Sequence, residues 1–393
     1  MANLPEPLRG NETGTFTHHS VAVRLPEIAR RMVADNSFDS AQTAAVERLI
    51  ADIGSGTITE LEGNGPDQEA WDSYVARHSG ESWLDAPWFF VELYFYRRIM
   101  DAVRYWETGL DPFRRQKLLG LEQAIEPGRT TISSVDEAYA RGVSTDFLMV
   151  QLTDAALWGN QVDLSLWPAE HGGAATLDSH TDRLLVDHRP SAIRSLRDRR
   201  PPPVDIVLDN AGAELVADLL VADLLLRSDL ASTVRLHAKE YPVFVSDAMP
   251  SDVEETLRHL AADTNTHLRS SGERLGAEQA AGRLTITVDS FWVSPLEWRD
   301  RPETVNNSLR DSGLVIVKGD ANYRRLLGDR HWDFTTPFAE AVGDRPAPIL
   351  ALRTLKSEIA AGLNEKAVES AGTADTDWLT NGRWALATFT DIQ

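Results

Sequence analysis

The chain has no cysteine, which excludes a disulfide framework, a zinc–thiolate site and a thiol nucleophile. That usage fits a reducing compartment, and a cytoplasmic location is expected. Cationic side chains are scarce: 39 Lys and Arg stand against 60 Asp and Glu, a formal net charge of −21. A surface of that sign repels polyanions, so neither nucleic acid nor an anionic membrane is an expected partner. A small phosphorylated substrate would feel the same field, and its site would need a local metal or a Lys/Arg cluster. No stretch approaches the roughly 20 consecutive apolar residues that span a bilayer. Met1–Gly14 is polar and contains proline, without a basic segment followed by an apolar run, so no export signal is expected. Also missing are Gly-x-x-x-x-Gly-Lys-Ser/Thr, Gly-x-Gly-x-x-Gly after a strand, His-Glu-x-x-His and Gly-x-Ser-x-Gly. Nucleotide-driven transfer, zinc-helix hydrolysis and serine hydrolysis lose rank accordingly.

What is present describes a globular protein with 42% hydrophobic residues and room, at 393 residues, for two domains. From Leu25 to about Ile53 apolar residues recur at helical spacing, and Asp39-Ser40 marks a start between two helices. Trp83–Trp106 is apolar around most of its circumference, the mark of a helix buried on several sides. Its charges, Glu92, Arg97 and Arg98, therefore need partners or a cleft. Helical patterns follow through Lys117–Ile125 and Ser133–Trp158, the latter with Ser134 and Glu137 spaced as a capping box. Residues 1–165 read as an all-α helical bundle. Residues 166–203, with Arg194–Arg200 and Pro201-Pro-Pro203, read as a solvated connector.

In residues 204–393 short apolar runs alternate with helical patterns. Strands are expected at 204–208, 233–238, 243–245, 284–288, 314–317, 349–352 and 384–389, and helices at 212–227, 250–264, 267–281, 303–311 and 320–327. This alternation predicts an α/β domain, a mostly parallel sheet sandwiched by helices in the Rossmann-like manner. Ligands of such sheets bind outside the carboxyl ends of the strands. Asp209 and Asn210 stand where one strand gives way to a helix, and Asp247 ends the run from Tyr241. If the two strands are neighbours, these are three hard oxygen ligands around one point, a set that suits Mg²⁺ or Mn²⁺. Asn210 and Asp247 are equally suited to cap the helices that follow. Further strand ends carry cations: His237-Ala-Lys239, Lys318-Gly-Asp-Ala-Asn-Tyr-Arg324 and Arg353-Thr-Leu-Lys356. A Lys or Arg beside free N–H groups at a helix start is a ready anion site.

These strings, Val204-Asp-Ile-Val-Leu-Asp-Asn-Ala-Gly-Ala-Glu214 and His237 through Asp247 foremost, resemble the metal-dependent damage-control phosphatases. The likeness continues through Lys318–Arg324, Gly328-Asp-Arg330 and Thr335–Phe338. Arg353-Thr-Leu-Lys356 resembles the Arg-Thr-x-Lys motif of the branch that acts on sugar phosphates. In the helical half it extends through Glu92–Arg98, Asp111-Pro-Phe113 and Leu157-Trp-Gly-Asn160. The resemblance implies that Asp209, Asn210 and Asp247 hold one divalent cation, with Mn²⁺ expected first and Mg²⁺, Co²⁺ or Ni²⁺ admitted. It implies that Glu214 and Asp320, Asn322 and Arg324 touch the substrate, that Lys356 holds its phosphoryl group, and that Asn160 and Lys318 line the cleft. Asp209, Asp247 and Lys356 would be catalytic, with either water or an aspartate carboxylate as nucleophile. Ala213, where relatives often carry an aromatic, and Leu296-Glu-Trp298 depart from the pattern in ways that bear on the sugar pocket. The expected activity is hydrolysis of a sugar phosphate or related phosphorylated metabolite. Two rivals are an S-adenosylmethionine-dependent protein-carboxylate methyltransferase, as some proteins of the branch are described, and a non-catalytic phosphometabolite-binding module. Oligomeric state has no signature in the sequence.

Overall fold

The structure, a computed structural model, describes residues 4–159 and 181–392. Among them seven runs rich in β-branched and small apolar residues form strands: β1 Leu184–Asp187, β2 Pro203–Val207, β3 Thr233–Ala238, β4 Leu284–Val288, β5 Leu314–Lys318, β6 Ile349–Thr354 and β7 Ala385–Thr390. They make one sheet in the order β1-β7-β6-β5-β2-β3-β4. Every pairing is parallel except β6 with β7. The expected mostly parallel, helix-covered sheet is therefore the observed one.

Strand side chains alternate faces, and here both faces are apolar. Val315 and Val317 of β5 join Ile349, Ala351 and Val207 in one core. Leu314 and Ile316 join Leu350, Leu352, Val204 and Ile206 in the other. The first core also takes in the helices Leu25–Asp35, Ser40–Ser55 and Trp88–Ala102, and the second takes in Arg114–Ala140, Thr145–Trp158 and Ala213–Arg227. Each large side chain buried in these layers contributes about 1.5–3 kcal/mol. The helical half thus supplies the cover for both faces of the sheet.

The charges on the aromatic helix find partners, as their burial demands. In Trp88–Ala102 all residues but Arg98, Asp101 and Ala102 are buried. Arg97 pairs with Asp67 at 2.9 Å and with Asp101 one turn on, Arg98 pairs with Asp52, and Glu92 pairs with Arg324.

Three local expectations are corrected. The Ser133–Trp158 pattern is two helices, Arg114–Ala140 and Thr145–Trp158, and Ser144, accepting from Phe147 N–H, is the cap. Ser134 lies inside the first helix, so spacing alone made a capping box where Gly142 supplies the turn. The stretch expected as a connector contains β1 and the helix Arg189–Arg197; β1 is too short to show a period and forms by pairing with β7. Val243–Val245 is not a strand. Phe244 and Val245 take φ of +50° and +69°, and Ser246 N–H donates to Phe244 O at 2.8 Å, closing a three-residue turn. The apolar, β-branched composition reads as strand, but packing of Phe244 against Tyr96 and Phe89 holds the turn. A left-handed Val costs on the order of 1–3 kcal/mol.

Candidate active site

The chain leaves β2 toward β3 on one side, while β5 flanks β2 on the other. Adjacent strands whose connections run in opposite directions open a crevice at their carboxyl ends. Asp209 sits there, 6% exposed. Its carboxylate lies against the Cα of Gly319, the first residue of the helix Gly319–Leu327 after β5: a Cβ on that glycine would stand 1.9 Å from Asp209 Oδ2. Gly319 has φ of +80°, so the residue type is required twice, by conformation and by contact.

The strained turn at Phe244–Ser246 brings Asp247 back to this point. Ala211 N–H donates to Ser246 O and Ala248 N–H to Asp209 O, each at 2.7 Å, which makes Asn210 and Asp247 an isolated antiparallel bridge. A pair flanked in this way is the close kind, with its two side chains adjacent. Asn210 Nδ2 donates to Asp209 Oδ2 at 2.8 Å and to Glu214 Oε1 at 2.9 Å, while its Oδ1 accepts from Ser246 Oγ. Asp209, Asn210, Asp247 and Glu214 are thus brought together.

Their electrostatics follow from burial and crowding. Asp209 is pushed well above the carboxylate range by burial and by the charges of Glu214 and Asp247, against the pull of Lys356 and Lys239. Asp247 is pushed up to about 6, again chiefly by burial. Lys239 Nζ stands 3.4 Å from Asp247 Oδ2, near enough for an ion pair, but that oxygen has no hydrogen-bond partner although it is sealed from solvent. Lys239 spends its best hydrogen bond on Asn322 Oδ1, at 2.7 Å. A sealed, orphaned carboxylate oxygen beside a second carboxylate and an amide oxygen fits a hard divalent cation. Among the described residues no group of three or more His, Cys, Asp or Glu converges as metal ligands; the set here is two carboxylates and one amide.

The other residues singled out in the sequence divide into available and engaged. Lys356, at the end of the β6 segment, is exposed and acts on both Asp209 and Asp320. Lys318 is buried, bonded to Ala156 O at 2.7 Å and Asp218 at 3.0 Å, with Glu214 at 3.8 Å. Asp218 is pushed up to about 6 by burial. Asn322 donates to Leu208 O and Lys318 O, locking the ends of β2 and β5 together. Asp320 accepts from Arg353 Nε at 2.8 Å, Ser357 Oγ at 3.0 Å and Lys356 N–H at 3.3 Å; Arg353 holds its carboxyl below the usual range in spite of burial. Asp320 therefore shapes the loop that carries Lys356.

Arg324, expected to touch substrate, is engaged within the protein. Its guanidinium gives two hydrogen bonds to Asp329 at 2.8 Å each, pairs with Glu92 through the third nitrogen, and lies 3.5 Å over the Trp88 ring. All three nitrogens are engaged, so this residue clamps the aromatic helix to the helix Gly319–Leu327. Asn160 lies outside the described residues.

Sequence reasoning gave no role to Ser246 and Asp218, which are legible only through their partners; Lys239 and Arg353 were read as cations at strand ends, and the fold engages both inside the protein.

Residues 20–371 match the family described as Damage-control phosphatase ARMT1-like domain. The chain is 32% identical over 442 residues to Damage-control phosphatase ARMT1 of Danio rerio, covering 98% of this chain and 97% of that one. It is 30% identical to the protein of the same name from Rattus norvegicus, with 99% of both chains covered. A DUF89 family protein from Pyrococcus horikoshii shares the fold at TM-score 0.51 and 13% identity, over 94% of this chain and 97% of that one.

Proposed function

The chain belongs to the ARMT1-like damage-control phosphatase family, and from that premise we propose that it is a metal-dependent phosphomonoesterase acting on a sugar phosphate or related phosphorylated metabolite. The observation that carries the reading is the grouping at the β2/β5 crevice. Two buried carboxylates and an amide, crowded by Glu214, face an exposed Lys356 that has no ion-pair partner among the described residues.

Asp209, Asn210 and Asp247 would hold one divalent cation, Mn²⁺ first, with Mg²⁺, Co²⁺ or Ni²⁺ as alternatives; when bound it neutralises charge on the phosphoryl group. Lys356 holds a phosphoryl oxygen, and the Asp320 hydrogen bonds fix the loop from which it reaches. In hydrolysis the bond between phosphorus and the ester oxygen breaks as the nucleophile's oxygen bonds to phosphorus in line with it. The proton of the attacking water ends on the departing alcohol. Lys239 and Lys318 do not touch substrate in this account: one holds Asp247 and Asn322, the other Asp218 and Glu214.

The methyltransferase reading is not favoured: the matched family and relatives carry the phosphatase name, and no glycine-rich nucleotide loop follows a strand. No helix among the described residues is long and apolar enough to cross a membrane; a cytoplasmic location belongs to the proposal, resting on the absence of cysteine. The test is phosphate release from a panel of sugar phosphates with each ion in turn, before and after chelation. Asp209→Ala should lose about 10²–10³ in kcat, the scale of one lost electrostatic stabiliser. Turnover that survives chelation removes the metal from the reading, and silence across the whole panel removes the phosphatase.

A further inference from the structure

A segment near the start of the chain reaches the loop that carries Lys356. Phe16 and Thr17 donate their N–H groups to the Glu358 carboxylate at 3.2 and 3.4 Å, and Thr17 Oγ1 donates to it at 3.1 Å. Glu358 lies two residues beyond Lys356. Next, Ser20 Oγ donates to Glu92 at 3.4 Å, the carboxylate that also holds Arg324. Ser20–Arg24 is π-helical before the chain continues as Leu25–Asp35, and wide turns of this kind cluster at functional positions. Tyr96 stands one turn after Glu92, on the same side of its helix. Its ring packs 5.4 Å from Phe244, in the turn that delivers Asp247, and 6.1 Å from Phe113.

Two polar groups on this side are unspent. Tyr96 is 3% exposed, yet its hydroxyl has no hydrogen-bond partner among the described residues. Burial keeps it protonated; the Arg24 charge opposes that shift, while Glu92 and Asp247 add to it. Ser20 bonds Glu92, and Arg24 and Tyr96 stand one turn on from these two residues, along the segment and along the helix. Arg24 is exposed and has no ion pair among the described residues, in a chain with 21 more acidic than basic side chains. An unpaired guanidinium one turn on from Ser20, in the segment that binds Glu358 and Glu92, is suited to an anionic ligand, which it grips with two parallel hydrogen bonds.

We propose that the segment Phe16–Arg24 and the helix Trp88–Ala102 form the second wall of the substrate cleft, where Arg24 binds an anionic phosphoryl oxygen and the Tyr96 hydroxyl donates a hydrogen bond to the bound group. This rests on the phosphatase reading for the identity of the ligand. It divides the binding work between Lys356, reached from the sheet side, and Arg24, reached from the helical side. The anion is then held against a strongly acidic protein by cations from both walls.

The probe is inorganic phosphate, titrated calorimetrically into the Mn²⁺-loaded full-length protein. Arg24→Gln should weaken phosphate binding by about tenfold or more, the scale of a hydrogen bond to a charged group. Tyr96→Phe, which removes one oxygen and keeps the ring, should weaken it by about three- to tenfold. Arg30→Gln, an exposed arginine on the following helix, should bind as the wild type does. Wild-type affinity in either Arg24→Gln or Tyr96→Phe overturns the wall, as does a wild type that binds no phosphate. Hydrolysis by the wild type is scored separately. If sugar phosphates are hydrolysed while Arg24→Gln keeps its phosphate affinity and KM, the wall fails and the phosphatase reading stands. If nothing is hydrolysed but phosphate affinity falls in both variants, the wall stands and the catalytic reading fails.

Discussion

Gly319→Ala separates the geometry of the crevice from the stability of the fold. The glycine has φ of +80°, and an L-residue in that region costs about 1–2 kcal/mol. Stiffening of the unfolded chain offsets about 0.4–1 kcal/mol of it, so the net backbone loss is about 1 kcal/mol. The contact is the larger effect. The new methyl would stand 1.9 Å from Asp209 Oδ2 and 2.0 Å from its Cγ, where carbon contacts settle near 3.5–4.0 Å. The carboxylate must retreat by more than about 1 Å, and a misplacement of that size costs about 10²-fold in rate, or about 2.7 kcal/mol at the transition state. The expected signature is a kcat about a hundredfold down with weakened Mn²⁺ binding, in a protein whose urea midpoint moves little. Gly54→Ala is the control, since nothing lies within 4 Å of its added methyl. Measuring kcat, metal affinity and urea unfolding on both variants decides it. A Gly319→Ala protein within threefold of wild-type kcat would refute the placement of Asp209 against the helix start.

Two further outcomes follow from buried charges. Arg324→Met leaves Asp329 and Glu92 without their shared cation, and breaking a buried pair from one side costs about 3–5 kcal/mol. Urea unfolding should show that loss, and a loss below about 1 kcal/mol would return Arg324 to the substrate. Asp205, fully buried in β2, is held below the usual carboxylate range by hydrogen bonds from His237, Arg235 and Ser312 that outweigh its burial. A folded-state pKa depressed in this way adds stability above the unfolded value near 3.8, and that stability is lost as pH falls through the lower folded value. Asp205→Asn should therefore destabilise the protein at pH 7 and flatten the loss of stability below about pH 4. Parallel acid limbs for the two proteins in urea midpoints would contradict this assignment.

The alternation of short apolar runs with helical spacings was enough to read the sheet, its parallel character and most strand positions, because both faces of β2, β5 and β6 are buried and most of their residues are apolar, with Asp205, Lys318, Arg353 and Thr354 the polar exceptions. The meeting of Asp209 and Asn210 with Asp247 was expected from two neighbouring strand ends; Asp209 and Asn210 do follow a strand, but a left-handed turn rather than a second strand returns Asp247 to them. For Arg324 the sequence pointed to substrate and the fold to a buried pair, for a physical reason. Its position at a strand-to-helix transition is that of an anion binder, but Glu92, 232 residues away in sequence, takes the guanidinium. Val243–Val245 failed likewise: composition favours extension, and only the aromatic contacts of Phe244 hold the left-handed turn.

Local sequence determined which residues carry charge and which runs are apolar, and so where strands end and which groups stand at those ends. Tertiary structure decided which of the charged groups remain available. Among the described residues Lys356 is left without an ion-pair partner at the rim, while Lys239, Lys318, Arg324 and Arg353 are buried on carboxylates, carbonyls and amides supplied by distant segments. The reason is desolvation: a cation drawn out of water must find an acceptor nearby, and which acceptor lies near is a property of the fold.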